Sequence, residues 1–353
     1  MIDKSRRGFL AGVGAAATTS LAGCAGIGSG SQTLTMIDWG YVYNDGVIEE
    51  FEDRHGVTVE RQAAQGSAET LAALRAGRAD YDLVPLGNYA VKPAMDEGYI
   101  QPLDIDQIPA YDDIFDFLKK PYFETDGDIY GSPRSFGQTP LAVNVDLVET
   151  EITALADLWS DSLNGVSGGR DDARLQVLYR NAAFDTPLNP SSASEIDFDA
   201  LQSDLIERLE VTGGLWNNGG ESESLLRNEE VGVQPVWNYV IQTMQDDGLP
   251  VERVYPSEGT KAWFIQHTIH AEAENPELAH TFIQEWHTMM GYRSLMEPNN
   301  IAVPNDQVFS EQDVTRESYG LDNPDRFIYE EPKPPELIKQ YANTWSQAKT
   351  EAN

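Results

Sequence analysis

The chain has 353 residues, and 58 acidic against 24 basic side chains give a formal charge of -34. Such a carboxylate excess excludes binding to nucleic acid through its phosphates, and a single cysteine, Cys24, excludes an internal disulfide or a multi-cysteine metal site. Only 8 of the basic residues are lysines, a composition expected of a protein from salt-saturated surroundings. At 1 M salt the screening length is about 3 Å, so the charge reads as a solubility device and not as a guide to the sign of a ligand.

In chain order, the first feature is "SRRGFLAGVGAAATTSLAGC", positions 5 to 24. A basic start, a mild apolar run and a small-residue processing site make a secretory leader, and Arg6 and Arg7 with Phe9 and Leu10 give its twin-arginine form. Phe9 to Ala22 is shorter than the roughly 20 apolar residues of a bilayer crossing. "LAGC" matches a bacterial or archaeal lipobox, so Cys24 is expected to carry a lipid, with "AGIGSGSQ" as a flexible tether. Residues 1–32 are thus leader and tether, a halophilic archaeon is the expected source, and the chain is expected on the outer face of the cell membrane. The residues beyond the tether are too many for one core, and two lobes are expected.

"TLTMID" reads as a strand, then "DGVIEEFEDRHG" as a helix with Asp45 as N-cap and Gly56 as its stop. "VTVERQ" is strand-like, "SAETLAALRAG" is helical with Ser67 capping and Gly77 closing, and "YDLVPL" is a buried strand. This alternation predicts an α/β lobe with a largely parallel sheet. A second alternating set comes after "PLAVNVDLV". "KAWFIQHTIHAEA" is another extended run, and "NPELAHTFIQEWHTMMG" a helix with Asn275 as cap, Pro276 at its first position and Gly291 at its end. A proline-rich connector leads to a terminal helix.

Ligands of open α/β sheets bind beyond the carboxyl ends of the strands. Aromatic residues collect at those ends here: Trp39, Tyr41 and Tyr43 after the first strand, Tyr89 after "YDLVPL", Trp237 and Tyr239 after "VGVQPVW". Any one of these rings alone reads as core packing, but Trp39, Tyr89 and Trp237 together with Trp263 predict a cleft whose rings enclose an alkyl chain or a cationic or planar solute. "GGRDD" places Asp172 near the start of a helix. No G-x-S-x-G, P-loop or H-E-x-x-H occurs. His267 and His270, three apart in an extended run, point to opposite faces. His280 and His287 share a helical face with Glu277, opposite the stripe of Leu278, Phe282, Trp286 and Met289, and so read as solvent-facing. No metal, cofactor or catalytic residue is expected.

"DWGYVYNDGVIEEFEDRHGVTV", "ADYDLVPLGNYAVKPAMDEGYIQPLD", "IYGSPRSFGQTPLAVN", "LADLWSDSLNG", "DDAR" and "VWNYV" fall in the order found in the spermidine/putrescine-binding proteins of ABC importers. The chain resembles that family from about Leu34 to Asn305. The resemblance implies a two-lobed periplasmic-binding-protein (type II) α/β architecture, each lobe a mostly parallel sheet flanked by helices. Residues 33–138 plus 265–310 would form one lobe and 139–264 plus 311–353 the other, with crossings near Gln138–Val143 and Trp263–Thr268. It also implies a monomer that closes over a small solute and docks on a membrane permease. Trp39, Tyr89, Trp237 and Trp263 match the family's aromatic positions, and Asp172 an acidic one.

Other positions depart from the family. Tyr41 stands where an acid is usual, Val42 for a tyrosine, Gly87 for a serine, Leu175 for an acid and Ile265 for the aspartate that holds an amino group. A polyamine would then need Asp38 or Glu297 as a substitute, since a buried ammonium without a carboxylate is costly. The expected ligand set is Trp39, Tyr41, Tyr89, Asp172, Trp237, Trp263 and Arg134. The alternative solute is a metal complex or an anionic organic compound met by Arg134 and Arg174. An exported thiaminase-like enzyme would need a cysteine nucleophile, and only Cys24 exists.

Overall fold

A computed structural model describes residues 32–40, 42–77, 81–119 and 123–352. Cys24, the leader and Tyr41 lie outside these residues. The strands are β1 (Thr33–Asp38), β2 (Thr58–Ala63), β3 (Leu83–Gly87), β4 (Ile100–Gln101), β5 (Glu124–Thr125), β6 (Asp128–Ile129), β7 (Ser132–Thr139), β8 (Leu141–Asn144), β9 (Ser167–Arg170), β10 (Thr212–Trp216), β11 (Val233–Pro235), β12 (Val251–Val254), β13 (Thr260–His270) and β14 (Phe327–Tyr329). One sheet has the order β14-β13-β3-β1-β2, with β4 and β7 also pairing with β13; the second has the order β10-β9-β11-β8-β12. β2, β1 and β3 run parallel, as do β10, β9 and β11. The strands adjoining the crossings, β7 with β13 and β8 with β11 and β12, pair antiparallel.

Helices α1 (Asp45–His55), α2 (Ser67–Arg75) and α3 (Asn88–Asp96) belong to the first sheet; α4 (Ala173–Ala183), α5 (Phe198–Glu210), α6 (Gly219–Arg227) and α7 (Asn238–Asp246) belong to the second. Each lobe buries apolar side chains of its own. Leu34, Met36, Leu83, Val84 and Phe264 lie in the core of the first, and Leu141, Val233, Leu175 and Leu178 in that of the second. The terminal helix Pro335–Glu351 lays Leu337, Tyr341 and Trp345 against Val177, Leu201 and Leu205. Its last turns are tied by Trp345 Nε1 and Lys349 Nζ, which donate to Asp171 at 2.6 and 2.7 Å.

The chain passes from one sheet to the other three times. The first passage, at Pro140 between β7 and β8, falls within the expected Gln138–Val143. The second lies at residues 255–259, not at Trp263–Thr268, which sit in the middle of β13. β13 has to run its full length in the first sheet because β3, β4, β7 and β14 all pair along it. The third passage, residues 330–334, carries the chain to the terminal helix. Residues 260–264 and 327–329 therefore belong to the first sheet, in place of the second half to which the pattern assigned them.

Local chemistry corrects several element ends. Asn44, not Asp45, caps α1, its side chain accepting from Gly46 N, while Gly56 takes the left-handed conformation (φ 66°) that ends it. Ser67 is the first residue of α2 and not its cap; its hydroxyl accepts from Gly87 N at 2.6 Å instead. Asn275 precedes the helix α8 (Pro276–Glu285) without a side-chain cap bond. The helix running on from α8 kinks at His287 and Thr288, whose φ/ψ leave the helical region (Thr288 φ -127°, ψ -150°), and it resumes as a π-helical turn at Tyr292–Met296, where Gly291 has helical φ and ψ in place of a stop.

Of the face predicted to meet solvent, Glu277 is exposed but His280 and His287 are buried. His280 accepts from Asp104 N at 2.8 Å, and His287 Nε2 lies 2.7 Å from Ser132 Oγ. The 3₁₀ segments at 105–113, which pack against α8, cover that side. Met289, assigned to the inner stripe, is 40% exposed because it follows the kink at His287 and Thr288, where the helical register is broken.

Candidate functional site: a cleft between the sheets

Trp39 comes directly after the last residue of β1, and its indole Nε1 donates to Thr70 Oγ1 at 3.3 Å. Tyr89 enters the first turn of α3 just after β3 ends at Gly87. A Cβ at Gly87 would lie 2.8 Å from Ser67 Oγ and 3.2 Å from the Tyr89 ring, so any side chain there would have to displace the Ser67 hydroxyl that accepts from Gly87 N. Trp237 precedes α7 and stacks on Tyr239 with ring centres 5.7 Å apart and planes 15° from parallel, its edge meeting Trp216. Trp263 sits on β13 opposite Gly137 of β7, and its indole lies so close across that strand that a Cβ on Gly137 would come within 2.1 Å of it. Rings from both sheets thus face one cleft of about 200 Å³, lined by Trp39, Tyr89, Trp237, Tyr239 and Trp263 together with Gln65, Gly66, Ser67, Thr139, Leu175 and Ile265. Five charged side chains join them: Arg170, Asp172, Arg174, Lys261 and Glu330.

Asp172 is the N-cap of α4, its carboxylate accepting from Arg174 N at 3.0 Å. Burial pushes its carboxyl up, but the guanidinium groups of Arg174 and Arg170 outweigh that and hold it below the ordinary carboxylate range. Arg174 is the hub. Its guanidinium reaches Asp172 and Glu330, each at 3.2 Å, and its central carbon lies 4.0 Å from the centre of the Tyr89 ring. Burial alone would lower the Arg174 pKa; Glu330 and Asp172 together raise it instead. Glu330 is supplied by the third passage between the sheets and is buried.

The other two cations are differently placed. Arg170 ends β9 and sits over the Trp237 and Trp216 rings at 5.4 and 5.7 Å, with no carboxylate within ion-pair distance among the described residues. Lys261 lies near the start of β13 and is 8% exposed. Burial pushes its ammonium down to about 8, a depression that Glu330 opposes and Arg174 and Arg170 deepen.

The structure brings Trp39, Tyr89, Trp237, Trp263 and Asp172 together. Arg134 is not on the cleft: it is wholly buried behind Trp39, its guanidinium 5.0 Å from that ring and donating to Tyr43 Oη at 2.9 Å. It is the third residue of β7, whose far end, Thr139, lines the cleft. Neither expected substitute carboxylate reaches the cleft. Asp38 turns away to Arg61 at 3.3 Å and to Gly40 N, and Glu297 is exposed. Glu330 takes that place. Sequence reasoning also missed Arg170 and Lys261 as wall residues; their positions at a strand end and next to Trp263 were the available signals.

Fold and site together define a two-lobed receptor with its cleft at the facing strand ends. The chain belongs to the bacterial extracellular solute-binding proteins, whose family model matches residues 46–318. It is 26% identical over 257 residues to spermidine/putrescine-binding periplasmic protein 1 of Haemophilus influenzae, covering 72% of this chain and 70% of that one. It is 28% identical over 252 residues to the spermidine/putrescine-binding periplasmic protein of Escherichia coli, covering 70% of each. Among solved structures, the spermidine/putrescine ABC transporter substrate-binding protein PotD of Streptococcus pneumoniae superposes with a TM-score of 0.78 at 17% identity, over 92% of this chain and all of that one. The protein is an extracellular solute-binding protein of type II fold.

Proposed function

We propose that the protein is the solute receptor of an ABC importer and captures a small organic amine, the chemical class named in its relatives. The observation that carries this reading is one shared cleft walled by Trp39 and Tyr89 from one sheet and Trp237 from the other, with Trp263 on β13 between them. Aromatic faces attract an ammonium through the ring quadrupole and cover a short alkyl chain at the same time. The volume is small against the roughly 300–1,000 Å³ of drug-sized sites, which suits a solute of a few carbons.

Three connections let the lobes rotate about one axis. Lobe closure over the solute would give the permease a form to read, and no covalent chemistry is involved. The leader and Cys24 support export and a lipid anchor, with the receptor acting as a monomer at the outer membrane face. Small-angle scattering tests the reading: saturation with a bound solute reduces the radius of gyration, and an unchanged radius at saturation refutes closure. Thermal-shift screening in molar KCl finds the solute, since binding stabilises by RT ln(1+[L]/Kd).

A further inference from the structure

Three cations and two carboxylates line the cleft, and their pairing is uneven. Both carboxylates are held by one side chain, Arg174, whose guanidinium also covers the face of Tyr89. A carboxylate pair beside an aromatic face is the surrounding that an incoming ammonium needs. Here the protein fills it with its own cation. Arg170 and Lys261 make no ion pair of their own among the described residues. Arg170 sits over indole faces and acts on Asp172 only from beyond ion-pair distance, and among the described residues the Lys261 Nζ has neither an ion pair nor a hydrogen bond, although the residue is more than nine-tenths buried.

Lys261 is a desolvated cation, costly until a counter-charge arrives, and the half-buried Arg170 stands beside it on the cleft wall. A bare diamine would bring two more positive charges into a cleft that already holds a surplus of one. A carboxylate would relieve the surplus. The enclosure also matters for a protein suited to molar salt, because buried pairs are screened far less than exposed ones.

Resting on the receptor reading, we infer that the solute is an amine that also carries a carboxylate, the carboxylate facing Arg170 and Lys261 and the rest of the molecule lying between the aromatic walls. Arg174 is then the residue that sets specificity, by closing the two carboxylates to a second ammonium. Binding of a carboxylate next to Lys261 raises the affinity of that amine for its proton, so the complex takes up protons from solution slightly above pH 8. A polyamine bound there would instead expel them.

The test is isothermal titration of the protein in 2 M KCl with γ-aminobutyrate, 5-aminovalerate, putrescine and spermidine, run at about pH 8.5 in two buffers of different ionisation enthalpy. The aminocarboxylates are expected to bind with proton uptake and the two polyamines not to bind. Lys261→Gln and Arg170→Gln should each weaken binding tenfold or more, with Arg170→Lys restoring part of it. Arg174→Gln should gain affinity for putrescine. The unliganded melting midpoint of each variant reports whether it folds, and proton uptake by the unaltered protein stands as a readout independent of them. Binding of putrescine or spermidine without aminocarboxylate binding overturns this inference and leaves the receptor reading intact. If no member of either class binds, this inference falls, while the receptor reading is tested by the thermal-shift screen and the scattering.

Discussion

Replacing Lys261 with methionine removes a desolvated charge and keeps most of the volume that the side chain fills on β13, between Thr139 of β7 and Ile328 of β14. The ammonium titrates at about 8 in the fold against 10.5 when free. The difference of about 2.5, at about 1.36 kcal/mol for each unit, places the cost of carrying this charge on the order of 3 kcal/mol at pH 7. Because the folded value is the lower one, the unfolded chain holds the proton more tightly. The cost is complete below pH 8 and fades to nothing as pH rises through the free value. Lys261→Met should therefore melt higher than the parent by about 5 °C at pH 7, taking the lower end of the usual sensitivity for a chain of this size. The advantage should vanish by pH 10.5. Differential scanning calorimetry of both proteins without solute, in molar KCl at several pH values, reads it directly. A variant that melts lower than the parent at pH 7, or a gap that does not change with pH, would refute the account of Lys261 as an uncompensated cation. The same substitution should weaken solute binding, a gain in stability at the expense of function.

The geometry and the charge lead to three other outcomes. Gly137→Ala drives a methyl group into the Trp263 ring, so it should cost about 1–3 kcal/mol in denaturant titration and abolish the solute-induced shift in melting midpoint; a variant that still binds normally would show that the ring can move without consequence. Burial lowers the His287 pKa to about 3, below its ordinary 6.5, so the parent loses stability as pH falls from 6.5 toward 3, and His287→Gln should lose it less steeply in acid melting curves. With a formal charge of -34, self-repulsion should make the melting midpoint climb as KCl is raised from 0.1 to 2 M, and a flat response would contradict the reading of the charge as a salt adaptation.

The order of strands and helices was readable because apolar periodicity acts locally, although none of the three expected N-caps makes the cap bond, and most of the aromatic walls were readable because strand ends in an α/β sheet open on ligand sites. Trp39, Tyr89 and Trp237 needed no more than that rule, whereas Trp263 lies within β13 and was reached through the resemblance. Errors gathered where long-range packing decides. His280 and His287 looked exposed on a helical wheel, yet Asp104 and Ser132, distant in sequence, reach them. α8 was expected to stop at Gly291, whose freedom to adopt positive φ is not used there. Glu330 lies in a connector whose local pattern carries no sign of a site; only the third passage between the sheets brings it to Arg174. Arg134 was misjudged because β7 alternates faces inside a sheet whose depth the sequence does not give.

The most direct test is a crystal structure of the protein with its solute bound. Density for the solute is predicted between Trp39, Tyr89, Trp237 and Trp263, contacting residues from both sheets. Solute seated outside that cleft, or touching one lobe alone, would contradict the account.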